Sequence, residues 1–419
     1  MRILESQLAD AYVKKLESRG SRFDEIEPAV CKIVDDVRRN GDTALLKYAL
    51  QLDGLDSEQS LRVGEPEIKH AWKHASAQLQ AALQTSAKNI RQFCEWQKPK
   101  PWTRSRGGAS LGQIVLPLDS LGCYVPGGRF PLVSTLLMTV IPAQVAGVKS
   151  IRVVSPRPSA EVLAAAAMLG VKEFYRVGGA QAIAALAYGT ETIPRVTKIA
   201  GPGNSYVTAA KRLVSFDCSI DMLAGPTEVV IVSFTGNPAF IAADLVAQAE
   251  HDPETLAVFI STSRKLAGAV AKELQTDSQE SLRENAIAQQ SLESRGAILI
   301  AASREQAFDW ANRIAPEHIT IDKDKKDLAL VRNAGSVFIG DYSAQAAGDY
   351  ASGPNHVLPT GGAARFRGGL SVMDFVKVIS VQELSYEGLK KLSPTIVRLA
   401  ETEGLRAHAE SVRVRCSGA

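Results

Sequence analysis

The strongest constraint on the fold is a repeated alternation of short β-branched runs with longer helical patterns. The run EVVIVSF (228–234) is followed by the amphipathic stretch PAFIAADLVAQAE and then by a second apolar run, LAVFIST. Short buried strands that alternate with helices are typical of βαβ units, in which the strands pair in parallel and helices cover both faces of the sheet. The sequence therefore predicts an α/β protein with doubly wound parallel sheets.

The alternation falls into two blocks, at roughly residues 123–227 and 228–340. The first hundred residues predict mostly helix, because they are charged, amphipathic and free of strand-like runs. Polar, glycine-rich loops follow the second block. From Leu370 the pattern returns to helix, with Ser393 and Pro394 as a candidate N-cap and first helical position.

The charge distribution and the cysteines narrow the functional class. The 48 basic and 45 acidic residues give a net charge of +3, spread along the chain, which argues against nucleic-acid binding and against binding to an acidic membrane. The five cysteines are odd in number and far apart. We therefore expect neither a disulfide framework nor a thiolate zinc site, and we expect a reducing, cytoplasmic location.

Two stretches need to be distinguished from targeting or membrane segments. The start, MRILESQLADAYVKKL, contains acidic residues and lacks a long apolar core, so it is not expected to be a secretory signal. The uncharged run at 130–148 contains Pro142 and Gln144 and is followed by a strand-like run. It predicts a buried helix of an α/β domain rather than a membrane span.

Three glycine-containing segments follow predicted strands and open predicted helices. They are YVPGGR (124–129), RVGGAQ (176–181) and AGPGNS (200–205). Ligands of parallel sheets collect at the carboxyl ends of strands, where backbone N–H groups at helix N-termini can face an anion such as a pyrophosphate. None of the three matches GxGxxG, and adjacent glycines are often only a tight turn. Their occurrence in consecutive βα units favours cofactor binding.

Histidine is scarce, and the chain has six in all. Gln248 and His251 close a predicted helix three residues apart, so they share a face and can meet one metal ion. A zinc site would need two more ligands, for which Asp349 and His408 are candidates. The alternative is that His251 only satisfies carbonyl groups at the helix C-terminus. His70 and His74 also have a metal-compatible spacing, but their lysine neighbours favour a solvated helix face.

The pair Glu317-His318 stands between a predicted helix end and a short strand, in IAPEHITI. Histidine is the side chain whose ordinary pKa is nearest neutrality, which suits a general base. The pattern is equally compatible with an ion-paired turn.

Eight segments together resemble the histidinol dehydrogenase family, from about residue 20 to the C-terminus. In chain order they are YVPGG, VGGAQAIAALAYGTE, IAGPGNSYV, DMLAGPTEV, QAEHD, APEHI, GDYASGPNHVLPT and EGLRAH. The resemblance implies a zinc-bearing homodimer that oxidises L-histidinol to L-histidine through an aldehyde, in two NAD-dependent steps. It implies no nucleic-acid or membrane partner.

The resemblance also implies roles for individual residues. His318 takes the alcohol proton as hydride leaves, and Glu317 helps to activate the water that hydrates the aldehyde. The implied zinc ligands are Gln248, His251, Asp349 and His408, which also touch substrate together with His318. The implied NAD contacts are Tyr124, Gln181 and Asn204, and the further substrate contacts are Thr227, His356 and Glu403.

The implied fold has two incomplete Rossmann-like domains with small terminal segments exchanged across the dimer. Residues 18–122 and 228–370 are expected to form the first domain, with 123–227 inserted as the second. Residues 1–17 are expected to form a helical arm, and 371–419 a helical segment that crosses to the partner.

The chain departs from the family pattern at residues 129–135, which read Arg-Phe-Pro-Leu-Val-Ser-Thr instead of the more frequent Lys-Ala-Ala-Tyr-Pro-Ser-Ser. This segment borders the expected cofactor site. Alternatives are oxidation of another small alcohol, such as a sulfonated diol, on the same scaffold, and a zinc hydrolase without a nicotinamide cofactor. A non-catalytic binding protein is disfavoured, because every catalytic motif position is filled.

Overall fold

The largest sheet is built from the most uniformly apolar runs of the chain. The computed structural model describes residues 1–19, 25–127, 132–275 and 285–417. Every residue of Glu228–Val232 and of Leu256–Ser261 is buried, as expected for parallel strands covered on both faces. Val230 packs into one hydrophobic cluster and its neighbour Val229 into another, on the opposite face. The predicted doubly wound α/β architecture is confirmed.

Within the described ranges the strands form two parallel sheets and one antiparallel sheet. The six-stranded sheet has the order β1-β11-β10-β9-β12-β13, the five-stranded sheet β6-β5-β4-β7-β8, and the antiparallel sheet β14-β3-β2. The strand bounds are β1 Arg2–Glu5, β2 Trp102–Arg106, β3 Ala109–Pro117, β4 Ser120–Tyr124, β5 Ser150–Val154, β6 Glu173–Tyr175, β7 Lys198–Ala200, β8 Ser219–Ile220, β9 Glu228–Val232, β10 Leu256–Ser261, β11 Ala297–Ile300, β12 His318–Ile321, β13 Ser336–Ile339 and β14 Val376–Leu384.

The helices connect these strands and cover the two parallel sheets. Their bounds are α1 Ser6–Glu17, α2 Glu27–Leu52, α3 Glu65–His74, α4 Ala77–Gln97, α5 Val133–Ala146, α6 Ala160–Met168, α7 Gly179–Tyr188, α8 Ser205–Val214, α9 Pro238–Ala249, α10 Arg264–Glu273, α11 Ala286–Ser294, α12 Arg304–Ile314, α13 Lys325–Leu330, α14 Gln345–Tyr350, α15 Tyr386–Thr402 and α16 Arg406–Cys416. Asn204 and Asn237 cap α8 and α9 with side-chain hydrogen bonds, which supply acceptors for otherwise unpaired N–H groups.

The packing of the N-terminal region differs from the expected domain grouping. Helices α2, α3 and α4 pack against α5, α6, α7 and α8 of the five-stranded sheet, whereas residues 18–122 were expected to join the six-stranded one. The arm at residues 1–17 is also not purely helical, because β1 pairs in parallel with β11. Strand β4 begins at Ser120, before the expected boundary at 123. Helical patterns show which face is apolar, but not which of two sheets that face covers.

An antiparallel sheet replaces helix that we expected directly after residue 370, and it includes residues 102–117, for which the sequence predicted no element. Strand β3 pairs along its whole length with β14, from Pro117 opposite Val376 to Ala109 opposite Leu384. The C-terminal segment is therefore helical only from Tyr386 onward. The expected cap at Ser393 is wrong as well: Ser385 caps α15, and Pro394 lies inside that helix.

Two features of the fold position the site. Residues 221–227 link the end of β8 to the start of β9, so the carboxyl edge of the five-stranded sheet adjoins the amino edge of the six-stranded sheet. The described part of the apolar run at 130–148 forms the buried helix α5, as predicted. Among the residues that the structure describes, no helix is long and apolar enough to cross a membrane.

Candidate active site

The end of α9 brings an amide into a buried polar cluster. Gln248 is 2% exposed, and its Nε2 donates a hydrogen bond to Oδ2 of Asp349, 3.2 Å away. Its Oε1 is buried and has no hydrogen-bond partner within the described chain. His251 follows as an exposed residue, close enough for its charge to act on the Asp349 carboxylate. Helix α9 ends at Ala249, so His251 lies just beyond the helix and not, as the spacing had predicted, on a face shared with Gln248.

Glu317 and His318, the predicted acid/base pair, lie at the amino end of β12. Nδ1 of His318 lies 3.7 Å from Oε2 of Glu317, and Nε2 lies 3.5 Å from Oδ1 of Asp349. Oε2 of Glu317 accepts a hydrogen bond from the backbone N–H of Glu228, at 3.0 Å. This pair is thus at the opposite end of its strand from the position that the general rule for parallel sheets would give it.

Burial and mutual charge determine the protonation of this group. Burial raises the pKa of Glu317 to about 7, although the neighbouring His318 opposes the rise. Burial works to lower the pKa of His318, but the Glu317 and Asp349 carboxylates together outweigh it, so the pKa lies above its ordinary value. For Asp349, burial works to raise the pKa, but the neighbouring imidazoles, chiefly that of His318, together outweigh it and hold the pKa below its ordinary value. Asp349 is therefore anionic at neutral pH, beside two groups that can exchange protons.

A cavity of about 410 Å³ opens against this cluster. It is lined by His318, Asp349 and His356, and by the rings of Phe338 and Tyr342. The Nδ1 of His356 lies 2.9 Å from the backbone oxygen of Asp349, and burial lowers the pKa of His356. The sequence reasoning missed Phe338, whose ring centroid lies 5.8 Å from that of His318; a single aromatic residue in a short strand gave no functional signal.

The donor set partly fits a zinc ion. The unpartnered amide oxygen of Gln248 and the anionic carboxylate of Asp349 are ligands of the type that zinc accepts. The described residues contain no cluster of three or more His, Cys, Asp or Glu side chains that could hold a metal, so His251, Asp349 and His408 do not come together within one chain. His408 and Glu403 are exposed on the terminal helical unit.

The expected cofactor contacts all lie at the carboxyl edge of the five-stranded sheet. Tyr124 is the last residue of β4, Gln181 lies in the first turn of α7, and Asn204 caps α8. Tyr124 and Gln181 are buried, whereas Asn204 is exposed. The structure thus brings the three segments to one edge.

The glycine loops are less open than the sequence suggested. The N–H groups of Gly178 and Gly201 donate to the buried carboxylates of Asp53 and Asp221, and the N–H of Gly179 donates to the Tyr124 hydroxyl. These N–H groups are therefore satisfied within the protein. Of the two helices that these loops open, α7 and α8, only α8 begins with exposed residues, Asn204 and Ser205. Residues 128–131, which carry much of the family departure, lie outside the described residues.

A buried ion pair fixes the AGPGNS loop. Nζ of Lys211 contacts Oδ1 of Asp221 and donates to the backbone oxygen of Gly201 at 2.7 Å. Gly201 has a φ of +118°, and a Cβ there would meet the backbone oxygen of Tyr124 at 2.1 Å. Only glycine allows this close approach of the two loops. Neither Asp221 nor Lys211 was predicted to have a role in this loop, because their partners depend on tertiary contacts.

The remaining candidates can be placed briefly. Thr227 is half-buried in the 221–227 link, directly before Glu228. His70 and His74 stack with ring centroids 3.8 Å apart on an exposed helix face, as the solvated-face interpretation expects.

Fold and site together define an α/β protein in which a buried glutamate–histidine pair, Glu317 and His318, lies beside Asp349 at the amino edge of the six-stranded sheet. Residues 16–416 match the family model described as histidinol dehydrogenase. The chain therefore belongs to the histidinol dehydrogenase family, and it is an oxidoreductase.

Similar proteins agree along nearly the whole chain. The histidinol dehydrogenase of Geobacter metallireducens is 46% identical over 404 residues, covering 94% of this chain and 92% of the relative. That of Methanothermobacter thermautotrophicus is 47% identical over 403 residues, covering 94% of both chains. The crystal structure of histidinol dehydrogenase from Elizabethkingia anophelis superposes with a TM-score of 0.94 at 35% identity, covering 100% of this chain and 98% of that one. These matches do not favour the alternatives of another small alcohol or a zinc hydrolase.

Proposed function

We propose that this enzyme oxidises L-histidinol to L-histidine through L-histidinal, with NAD as oxidant and Zn²⁺ in the site, as the last step of histidine biosynthesis in the cytoplasm. The observation that carries the proposal is the buried position of the His318 side chain. Its imidazole is buried between the carboxylates of Glu317 and Asp349, and neither ring nitrogen has a hydrogen-bond partner among the described residues. In its neutral form this buried imidazole has a free lone pair, which suits it to accept a proton from a bound alcohol.

The metal would be held by Gln248, His251 and Asp349 of one chain. The buried Oε1 of Gln248 lacks a donor, and a buried polar atom without a partner is costly unless a ligand satisfies it. When bound, Zn²⁺ supplies a Lewis acid that grips the substrate, and NAD supplies the hydride acceptor.

The residues of the chain divide the acid/base work. His318 takes the hydroxyl proton of histidinol while hydride leaves the carbon that bears this hydroxyl. Glu317 then accepts a proton from the water that adds to the aldehyde, and its pKa of about 7 suits that exchange. After His318 has released the first proton to solvent, it takes the hydroxyl proton of the hydrated aldehyde as the second hydride leaves. Thr227, His356 and Glu403 complete the substrate contacts.

The cofactor would lie along the carboxyl edge of the five-stranded sheet, held by Tyr124, Gln181 and Asn204. The N-terminus of α8, where Asn204 and Ser205 are exposed, presents backbone N–H groups at the positive end of a helix dipole, which suits a phosphate. The short link at residues 221–227 brings this edge next to the Glu317–His318 pair.

We assign the fourth zinc ligand, His408, to a second copy of the chain. Exposed apolar side chains cover the antiparallel sheet and α15, namely Trp102, Leu111, Ile114, Leu116, Val378, Ile379, Val381, Leu384, Leu392 and Leu399. Such a concentration of exposed apolar area on one unit suits a protein–protein interface. A two-fold dimer in which this unit crosses over would supply His408 and Glu403 to the partner's site.

The proposal is tested with purified protein, L-histidinol, NAD and Zn²⁺. Formation of L-histidine together with NADH supports it. Absence of NADH with histidinol, while a different small alcohol is oxidised, would assign the scaffold to another substrate.

A further inference from the structure

Asp53 contacts the carboxyl edge of the five-stranded sheet, where we propose that NAD binds, although it is distant from that sheet in the sequence. It follows α2 directly, and it is 6% exposed. Its Oδ2 accepts hydrogen bonds from the backbone N–H of Gly178, at 2.9 Å, and from Nε2 of Gln181, at 3.0 Å. One carboxylate oxygen therefore holds both the turn after β6 and a side chain in the first turn of α7.

This arrangement gives the Gln181 amide a single orientation. An ionised carboxylate only accepts hydrogen bonds, so the amide must turn its NH₂ group toward Asp53. The opposite end, Oε1, then lies over Gly179, where a Cβ would be 2.6 Å from it. Gly179 has a φ of +58° and lacks a Cβ, so the turn leaves room for the amide oxygen.

Asp53 also completes the start of α7. The first N–H groups of a helix have no partners within it, and they attract negative charge. Asp53 binds the N–H of Gly178, and the Tyr124 hydroxyl binds that of Gly179 at 3.1 Å. An internal carboxylate thus occupies the place that an external anion takes at an open helix N-terminus.

We propose that Asp53 is a positioning residue for the cofactor, which acts by fixing the Gln181 amide and the Gly178-Gly179 turn. The inference rests on the proposed NAD site at this edge. Glu317 and His318 lie on the other sheet, so Asp53 should affect NAD binding and leave proton transfer intact.

The first test compares Asp53→Ala with Asp53→Asn. Alanine removes the acceptor, and the KM for NAD should rise about tenfold or more, because two hydrogen bonds to a buried charged group are lost. Asparagine can place its Oδ1 where Oδ2 of Asp53 lies and keep both bonds, so it should restore the KM for NAD to within about threefold of wild type. The kcat and the KM for histidinol should stay within about twofold in both variants.

Asp56 provides a matched control in the same loop. It is exposed, and within the described chain its side chain accepts hydrogen bonds from the Glu58 backbone N–H and the Ser57 hydroxyl. Asp56→Ala should therefore behave as wild type. Asp53→Glu serves if Asp53→Ala does not fold. It keeps the charge but moves the oxygen by one methylene, and it should also raise the KM for NAD.

A double-mutant cycle with Gln181→Ala tests whether Asp53 acts on NAD binding through Gln181. If Asp53 acts through Gln181, the two substitutions together should raise the KM for NAD by less than the product of their separate effects. An unchanged KM for NAD in folded Asp53→Ala or Asp53→Glu, or independent effects in the cycle, would overturn the inference. A fall in kcat together with equal rises in the KM for NAD and the KM for histidinol, without rescue by asparagine, would also overturn it. Failure of the wild type to bind NAD would instead overturn the proposed function.

Discussion

Nε2 of His318 lies 3.5 Å from Oδ1 of Asp349, and the imidazole is 3% exposed. The two side chains come from β12 and from α14, so residues that share no local motif form the contact. Asp349 also receives the Gln248 amide at 3.2 Å. The base and the proposed metal site are therefore joined through one carboxylate.

The first prediction concerns His318→Gln. Glutamine keeps the size and polarity of the site but cannot take the alcohol proton at neutral pH. Oxidation of histidinol should slow by about a hundredfold or more, as is typical of losing a general base. Steady-state rates with histidinol and with histidinal as substrates measure the effect. A loss of less than about threefold in both half-reactions would show that His318 is not the base.

The second prediction concerns pH. Glu317 must be ionised to accept a proton from water, and its pKa is about 7. Oxidation of supplied histidinal should therefore rise as the pH increases through about 7, since the neutral acid predominates below that value. Glu317→Gln should lower the rate of this step more than the rate of histidinol oxidation, and any rise with pH that remains belongs to His318, which must also be neutral to accept a proton. A variant that oxidises histidinal at the wild-type rate above pH 7 would exclude Glu317 as the base for the water.

The third prediction concerns metal removal. Chelator-treated enzyme should stay folded and lose activity, because the proposed ion binds at the edge of a preformed core and holds substrate, and added zinc should restore turnover. His251 is exposed, so His251→Asn should also preserve the fold while weakening zinc binding. Circular dichroism, metal content and turnover are the measurements. Full turnover by protein shown to be free of metal would contradict the assignment.

The fourth prediction concerns sharing of sites between two chains. His251→Asn and His408→Asn should each be inactive. When their subunits are exchanged, a mixed dimer has one site with both substitutions and one with neither. With statistical mixing, about a quarter of wild-type activity should return. Absence of recovery after exchange has been demonstrated, for example by mass spectrometry of tagged chains, would place His408 in the site of its own chain.

The sequence was sufficient where one segment carries its own signal. The strand Glu228–Val232 is apolar apart from its first residue, which indicated a parallel sheet, and the helix before His251 was predicted, although it ends at Ala249. The partner Asp349 lies about a hundred residues from Gln248, and only the family resemblance brought it into the site.

The parts that could not be predicted depend on distant contacts. The strand Trp102–Arg106 is exposed along its length and shows no buried face, and β3 finds its partner β14 more than 250 residues further along the chain. The N–H groups of Gly178 and Gly201 were expected to be open to a ligand. They are occupied by Asp53 and Asp221, which no local pattern marks as their partners.

The most direct test of the central claim is the stoichiometry of the reaction. Purified enzyme with limiting L-histidinol and excess NAD should form two NADH for each L-histidine, with no free aldehyde accumulating, because one site carries out both oxidations. His318→Gln should form neither product at an appreciable rate. One NADH for each histidinol with release of histidinal, or no NADH at all, would contradict the account.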